Sequence, residues 1–167
     1  MAAGSTYEPI ATTNGTGSSG SVTFSSIPAT YTDLVLIVSG TLVSGGDSGL
    51  ELRFNGTGGG STAYSGTLLD GNGTAASSAR QSNVAGANNG LISSNAVGNS
   101  VIQIMNYANT TTYKTILGRG NLSNLLTRAS VYLWRDTPAA INAIEVRTGA
   151  GNYSTSTTFT LYGIAAA

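Results

Sequence analysis

Leu50-Glu51-Leu52-Arg53-Phe54 is the stretch on which the fold turns. Successive side chains of an extended strand point to opposite faces, so Leu50, Leu52 and Phe54 share one face and Glu51 and Arg53 the other. That is the pattern of an antiparallel strand with one dry and one wet face. Ile144-Glu145-Val146-Arg147 repeats it, and Ser21-Val22-Thr23-Phe24 is a shorter version. Leu34 to Val38 is apolar on both faces and reads as a central strand, or as one whose outer face a neighbour covers. Val101 to Met105, Tyr113 to Leu117, Ala129 to Trp134 and Thr157 to Ile164 complete the set, with a first strand near Tyr7 to Thr12. The total is about eight to ten strands, a number that suits a sandwich or a barrel.

The connections support this reading. Asn-Gly pairs at Asn14-Gly15, Asn55-Gly56, Asn72-Gly73 and Asn89-Gly90 suit tight hairpin turns, because both residues tolerate positive φ. Pro28 marks a bend, and Leu122 to Arg128 reads as a loop entering a strand rather than as a helix. Asn14 to Gly20 and Gly56 to Ser61 look like flexible glycine/serine loops. Gly71 to Gly98 is poor in bulky residues and reads as a long excursion with a short strand near Arg80 to Val84. The expected architecture is all-β, an antiparallel β-sandwich of jelly-roll type. Residues 1–20 would form an N-terminal arm or first strand with its flexible loop, and 21–167 a single domain. The expected core includes Val22, Phe24, Leu36, Leu52, Phe54, Ile102, Ile104, Leu133, Val146, Phe159 and Leu161.

Composition narrows function. The chain of 167 residues has no histidine and no cysteine, only 8% charged residues, and a formal net charge of +0. General acid–base and nucleophilic schemes lean on groups that titrate near neutrality, so an enzyme is not expected, and neither is a cofactor or a metal. Zero net charge gives little repulsion between copies and favours association. The single lysine and the scattered arginines form no basic cluster, so nucleic acid is not an expected partner. No apolar run is long enough for a membrane helix, and Met1-Ala2-Ala3-Gly4-Ser5 has none of the marks of a signal peptide.

Several motifs fall short. Gly15-Thr16-Gly17-Ser18-Ser19-Gly20 matches a dinucleotide fingerprint, but a strand follows it where a helix is required. Asp70-Gly71-Asn72-Gly73-Thr74 resembles the start of a calcium loop, yet Ala75 and Gln81 stand where glycine and glutamate are needed. Asp33, Asp47, Glu51, Asp70, Asp136 and Glu145 show no pairing that suits glycoside hydrolysis. Asn14, Asn55, Asn72, Asn109, Asn121 and Asn152 begin N-x-[ST] sequons, which such a composition produces by chance.

Five residues stand as interface candidates: Tyr7, Pro9, Ile10, Tyr132 and Trp134. Tyr132 and Trp134 alternate with Val131 and Leu133. If the aliphatic pair faces the core, the aromatic pair makes an exposed stripe suited to an interface; the other reading puts the rings in the core. Pro9 lacks a backbone donor and suits an edge strand or an extended arm. On that basis residues 1–13 are expected to reach onto a neighbour or a shell, and their deletion to leave a soluble domain.

The runs YEPIA (7–11), VTFSSIPATYTDLVL (22–36), LRFNG (52–56), NYANTTTYKTILGRG (106–120), VYLWR (131–135) and TFTLYGI (158–164) together resemble a family of tailed-bacteriophage virion proteins. The resemblance spans nearly the whole chain and is loose over 57–100. It implies a β-sandwich or jelly-roll domain serving as a capsid cement (decoration) protein, or as a module of a tail fibre. It implies the major capsid protein and further copies of the chain, as a homotrimer, for partners. It places the protein on the capsid surface of the virion after synthesis in the host bacterial cytoplasm. The alternative is a tail-fibre or receptor-binding module in which exposed Tyr and Trp stack on host surface glycan.

Overall fold

The computed structural model describes residues 6–57, 62–123 and 125–165. It holds twelve strands: β1 (Tyr7–Asn14), β2 (Ser21–Phe24), β3 (Asp33–Gly40), β4 (Asp47–Phe54), β5 (Tyr64–Gly71), β6 (Ala76–Val84), β7 (Ala87–Ser93), β8 (Gly98–Ile104), β9 (Lys114–Leu122), β10 (Leu126–Trp134), β11 (Ile144–Thr148) and β12 (Thr158–Ile164). They form an eight-stranded sheet, ordered β1-β12-β3-β8-β9-β10-β5-β6, and a four-stranded sheet, ordered β2-β11-β4-β7. Every pairing is antiparallel, and the two sheets pack as a β-sandwich of jelly-roll type.

The alternating runs build the interior as their pattern requires. Leu50, Leu52 and Phe54 of β4 and Ile144 and Val146 of β11 are fully buried, with Val146 opposite Leu52 and Ile144 opposite Phe54. Leu34, Leu36, Ile102, Ile104, Phe159 and Leu161 meet them from the large sheet. Rings fill the space that aliphatic residues leave. Phe54 packs edge-on against Trp134 at 5.5 Å, and Tyr153 against Phe159 at 4.8 Å. Each large apolar side chain moved from water into this layer contributes about 1.5–3 kcal/mol before entropy is counted.

The strand set is larger than the sequence suggests. The 71–98 excursion contains all of β6 and β7, the expected short strand near Arg80 to Val84 being the end of β6, and β5 leads into it. β6 is an edge strand of the large sheet, paired only with β5, and its residues are exposed on both faces apart from a half-buried Gln81 and Val84. With no dry face, it shows no alternation. Three of the Asn-Gly pairs lie at bends or strand ends. At Asn55-Gly56 both residues have positive φ, 50° and 75°, and the Asn55 Oδ1 accepts the Asn142 N–H at 2.9 Å. Asn72 Oδ1 accepts the Thr74 and Ala75 N–H groups and closes the β5–β6 hairpin. Asn89-Gly90, however, is no turn. It lies inside β7, where Leu50 faces Gly90 and Glu51 faces Asn88, so Asn89 is the extra residue of a β-bulge.

Of the two forms expected for the N-terminal segment, residues 7–14 take that of a first strand. β1 pairs with β12 from Tyr7 opposite Ile164 to Asn14 opposite Thr158, and it is the edge strand of the large sheet. Pro9 suits that edge, where a missing N–H costs no ladder bond. Deleting residues 1–13 would strip the sheet of a paired strand and is expected to destabilise the domain, not to leave it unharmed. The Asn14–Gly20 loop is pinned as well, by Gly15 N–H to Thr157 O and Gly17 N–H to Tyr153 O, each 2.9 Å. Residues 1–5 of the expected arm, and 58–61 of the expected second loop, lie outside the described residues.

Burial leaves a pH signature. It pushes the Tyr64 and Tyr132 hydroxyls up to about 12 and raises that of Tyr153 further. An unfolded phenol ionises near pH 10. Above that pH the unfolded chain binds fewer protons than the folded one, so stability falls as pH rises. The contribution is intact below about pH 10 and is lost toward about pH 12. The urea midpoint should hold up to the first value and then drop, with part of the tyrosinate absorbance appearing only on unfolding. Complete ionisation of the tyrosines near pH 10 in a folded protein would contradict the burial.

Candidate functional site

The sandwich has two outer faces, and they differ in kind. On the small sheet Glu51, Arg53, Glu145 and Arg147 form a checkerboard: Glu145 lies opposite Arg53, and Arg147 opposite Glu51. Arg53 Nε is 2.5 Å from Glu51 Oε1, and Arg147 Nε is 3.9 Å from Glu145 Oε1. These charges satisfy one another; Glu51, Glu145 and Arg147 are partly open to solvent and Arg53 is largely covered.

The outer face of the large sheet is built from the other half of each alternation. Strand register lines up Thr160, Ile37, Val101, Arg119, Ala129 and Leu69 in one row across β12, β3, β8, β9, β10 and β5. The next row is Tyr162, Val35, Gln103, Leu117, Val131 and Thr67. Leu133 continues the patch along β10, and Tyr7 closes it by packing edge-on against Tyr162 at 6.2 Å. Val131 is 51% exposed, Leu69 56%, Ile37 38% and Leu117 37%. Large apolar residues scattered singly over a surface need no explanation, but a contiguous patch marks an interaction site. Eight strands about 4.8 Å apart, each about seven residues long, span roughly 900 Å² of flat surface. A partner in a standard protein interface buries about 800 Å².

Charge on this face is sparse. Arg119 stands in its middle and forms no ion pair with a carboxylate among the described residues. Arg80 lies at the β6 end, its Nε donating to Ser82 Oγ at 3.3 Å. Asp33 lies near the other end, and both its oxygens are engaged, by Gln103 Nε2 at 2.9 Å and by the Asn106 N–H at 2.7 Å.

The structure sorts the five interface candidates. Tyr7 and Pro9 are exposed, and Tyr7 lies on the apolar face. Ile10 is the bulged residue of β1 and packs toward the core. Tyr132 and Trp134 are 1% and 3% exposed, so they are core residues and the exposed stripe is their neighbours, Val131 and Leu133. Leu133 accordingly leaves the expected core. The orientation follows from size: the rings fill the wide gap beside Phe54, while Tyr132 lies over Gly66, where a Cβ would come within 2.6 Å of its ring. The patch residues themselves escaped the sequence reading, although the doubly apolar Leu34 to Val38 run was its signal, with Ile37 open to solvent.

Asp70 accepts two hydrogen bonds of 2.7 Å from Arg128, which hold its carboxyl below the usual carboxylate range, and Arg128 also reaches Asn88 on β7. Asp47 accepts the Ser93 hydroxyl at 2.5 Å, and Glu51 and Glu145 belong to the checkerboard. Among the described residues no three His, Cys, Asp or Glu side chains gather as a metal site.

No known family model matches the chain, and no curated protein matches it. Among solved structures it is similar to a galectin from Caenorhabditis elegans, at 10% identity and a TM-score of 0.39, covering 89% of this chain and 94% of that one. It is similar to a tetrameric galectin from the sponge Cinachyrella, at 12% identity and a TM-score of 0.36, covering 86% and 99%. A protein of unknown function from Shewanella oneidensis follows, at 10% identity and a TM-score of 0.32, covering 85% and 62%. Likeness this distant carries no ligand across.

Proposed function

We propose that this protein is a virion structural protein of a tailed phage, a capsid cement (decoration) protein that attaches to the shell through the outer face of its eight-stranded sheet. The observation that supports it is the contrast between the faces. One has its charges paired and partly solvated, while the other is a broad apolar surface with almost no charge. The sequence resemblance supplies the phage setting. Copies group as trimers over capsomer junctions, where the major capsid protein offers a repeated surface. A protein that binds only the assembled shell stabilises it by mass action, in proportion to the logarithm of free concentration over dissociation constant.

The receptor-binding alternative needs exposed Tyr and Trp to stack on sugar, with Asn and Asp as hydrogen-bonding partners; Tyr132 and Trp134 lie in the core, which leaves Tyr7 and Tyr113 as the open rings. Particles lacking the protein should release DNA at a lower temperature than complete ones, and purified protein added back should restore them. Particles of equal heat stability that fail to adsorb to cells would replace the cement reading with the receptor-binding one.

A further inference from the structure

We infer that the partner surface is apolar around a single carboxylate, and that this carboxylate pairs with Arg119. The inference rests on the cement reading and adds the chemistry of what the face binds. Arg119 sits on β9, the fifth strand of eight, with Val101 beside it on β8 and Ala129 on β10. Two hollows lie against it, one of about 150 Å³ walled by Tyr7, Val35, Val101, Gln103 and Leu117, and a more open one of about 450 Å³ bordered by Ile37, Val101, Asn99 and Asn121. The smaller is well below the size of small-molecule sites, roughly 300–1,000 Å³, and suits one side chain. When a partner covers the apolar rows, Arg119 loses its water. A guanidinium desolvated without a counter-charge is strongly unfavourable, whereas a carboxylate in bidentate contact offsets that cost.

A second copy packed by the same face brings no carboxylate to Arg119. Within its strands the face carries Arg119 and Arg80 against Asp33, which already accepts from Gln103 and Asn106, and Arg135 and Asp136 stand together at its rim beside Leu133. Two copies packed face to face about a two-fold axis would present this same cationic patch to itself, with Arg119 near its middle. The face is therefore complementary to a different protein surface, apolar and locally acidic. Under the cement reading that surface belongs to the shell.

The test is binding of labelled protein to particles that lack it, followed by co-sedimentation, with sedimentation velocity of the protein alone in parallel. Arg119 is exposed, so Arg119→Leu and Arg119→Glu should fold, and unchanged melting checks this. Arg119→Leu is expected to weaken binding roughly 30-fold or more, and Arg119→Glu further, the range seen when one member of an interfacial charge pair is lost. Arg147→Glu, on the opposite face, should bind as the parent does. Parent protein that binds while Arg119→Glu stays within threefold of it would overturn the inference and leave the cement reading standing. Parent protein that does not bind at all would end the cement reading and the inference with it. Self-association of the parent that Leu117→Asp abolishes and Arg119→Leu strengthens would assign the face to a second copy and overturn the inference.

Discussion

Trp134→Ala is expected to lower the free energy of unfolding by about 3–5 kcal/mol, the range for emptying an aromatic site in a core. Trp134 is 3% exposed and fills the space beside Phe54, whose other ring neighbour among the described residues is Tyr64 at 5.9 Å. Its indole N–H has no hydrogen-bond partner, so the loss is one of packing rather than of a polar contact. The neighbouring Leu133→Ser should cost less than about 1 kcal/mol, because Leu133 looks outward. Urea unfolding followed by circular dichroism measures both. A one-residue slip of β10 would exchange its faces, so the reverse ordering would show that strand turned over.

Gly118→Val is expected to be nearly as damaging, at about 3 kcal/mol or more, the upper part of the range for overpacking a filled interior. A Cβ on Gly118 would stand 2.3 Å from the Asn89 carbonyl oxygen and 2.5 Å from Ser130 Oγ. Both belong to fixed structure. Asn89 is the buried bulge of β7, and its Nδ2 donates to Ser130 Oγ at 3.0 Å. The two sheets approach closely there because Gly90, Gly118 and Gly120 leave room for small polar side chains. Gly73→Val is the informative comparison: nothing lies within 4 Å of its Cβ position, and the strain comes only from a φ of +85°. Its cost should be about 1–2 kcal/mol. Equal losses at the two positions, measured by thermal unfolding, would argue against close approach of the sheets at Gly118.

These two substitutions mark where sequence reasoning succeeds and where it stops. Leu50 to Phe54 and Ile144 to Arg147 announce both their strand and its orientation, because charges label the wet face. Val131 to Trp134 announces a strand but not its orientation. Both alternating sets are apolar, and only the volume beside Phe54 decides which set turns inward. β6 is legible only at its end, near Arg80 to Val84; the rest of ASSARQSNV gives no signal because neither of its faces is dry, and its pairing with β5 alone makes it a strand. β7 is hidden for a different reason. Asn89-Gly90 carries turn chemistry, but the same tolerance of unusual backbone serves a bulge between two buried neighbours. The apolar outer face was legible in part, from the doubly apolar Leu34 to Val38. Its extent depends on register across six strands, which no single run of sequence contains.

The proposed attachment is consistent with the low charge of the chain. A surface that lies against another protein over a large area gains from burying aliphatic side chains and loses from every unpaired ion it covers. Paired charges are concentrated on the opposite face, while the apolar face stays nearly neutral.

An electron-cryomicroscopy reconstruction of the phage particle, fine enough to tell the eight-stranded sheet from the four-stranded one, tests the proposed attachment most directly. The expected result places the protein on the capsid, with Leu117, Val131 and Arg119 against the shell, an acidic side chain facing Arg119, and Glu51, Arg53, Glu145 and Arg147 toward solvent. Density confined to the tail fibres, or a capsid-bound sandwich with its charged face on the shell and Leu117 and Val131 in solvent, would contradict it.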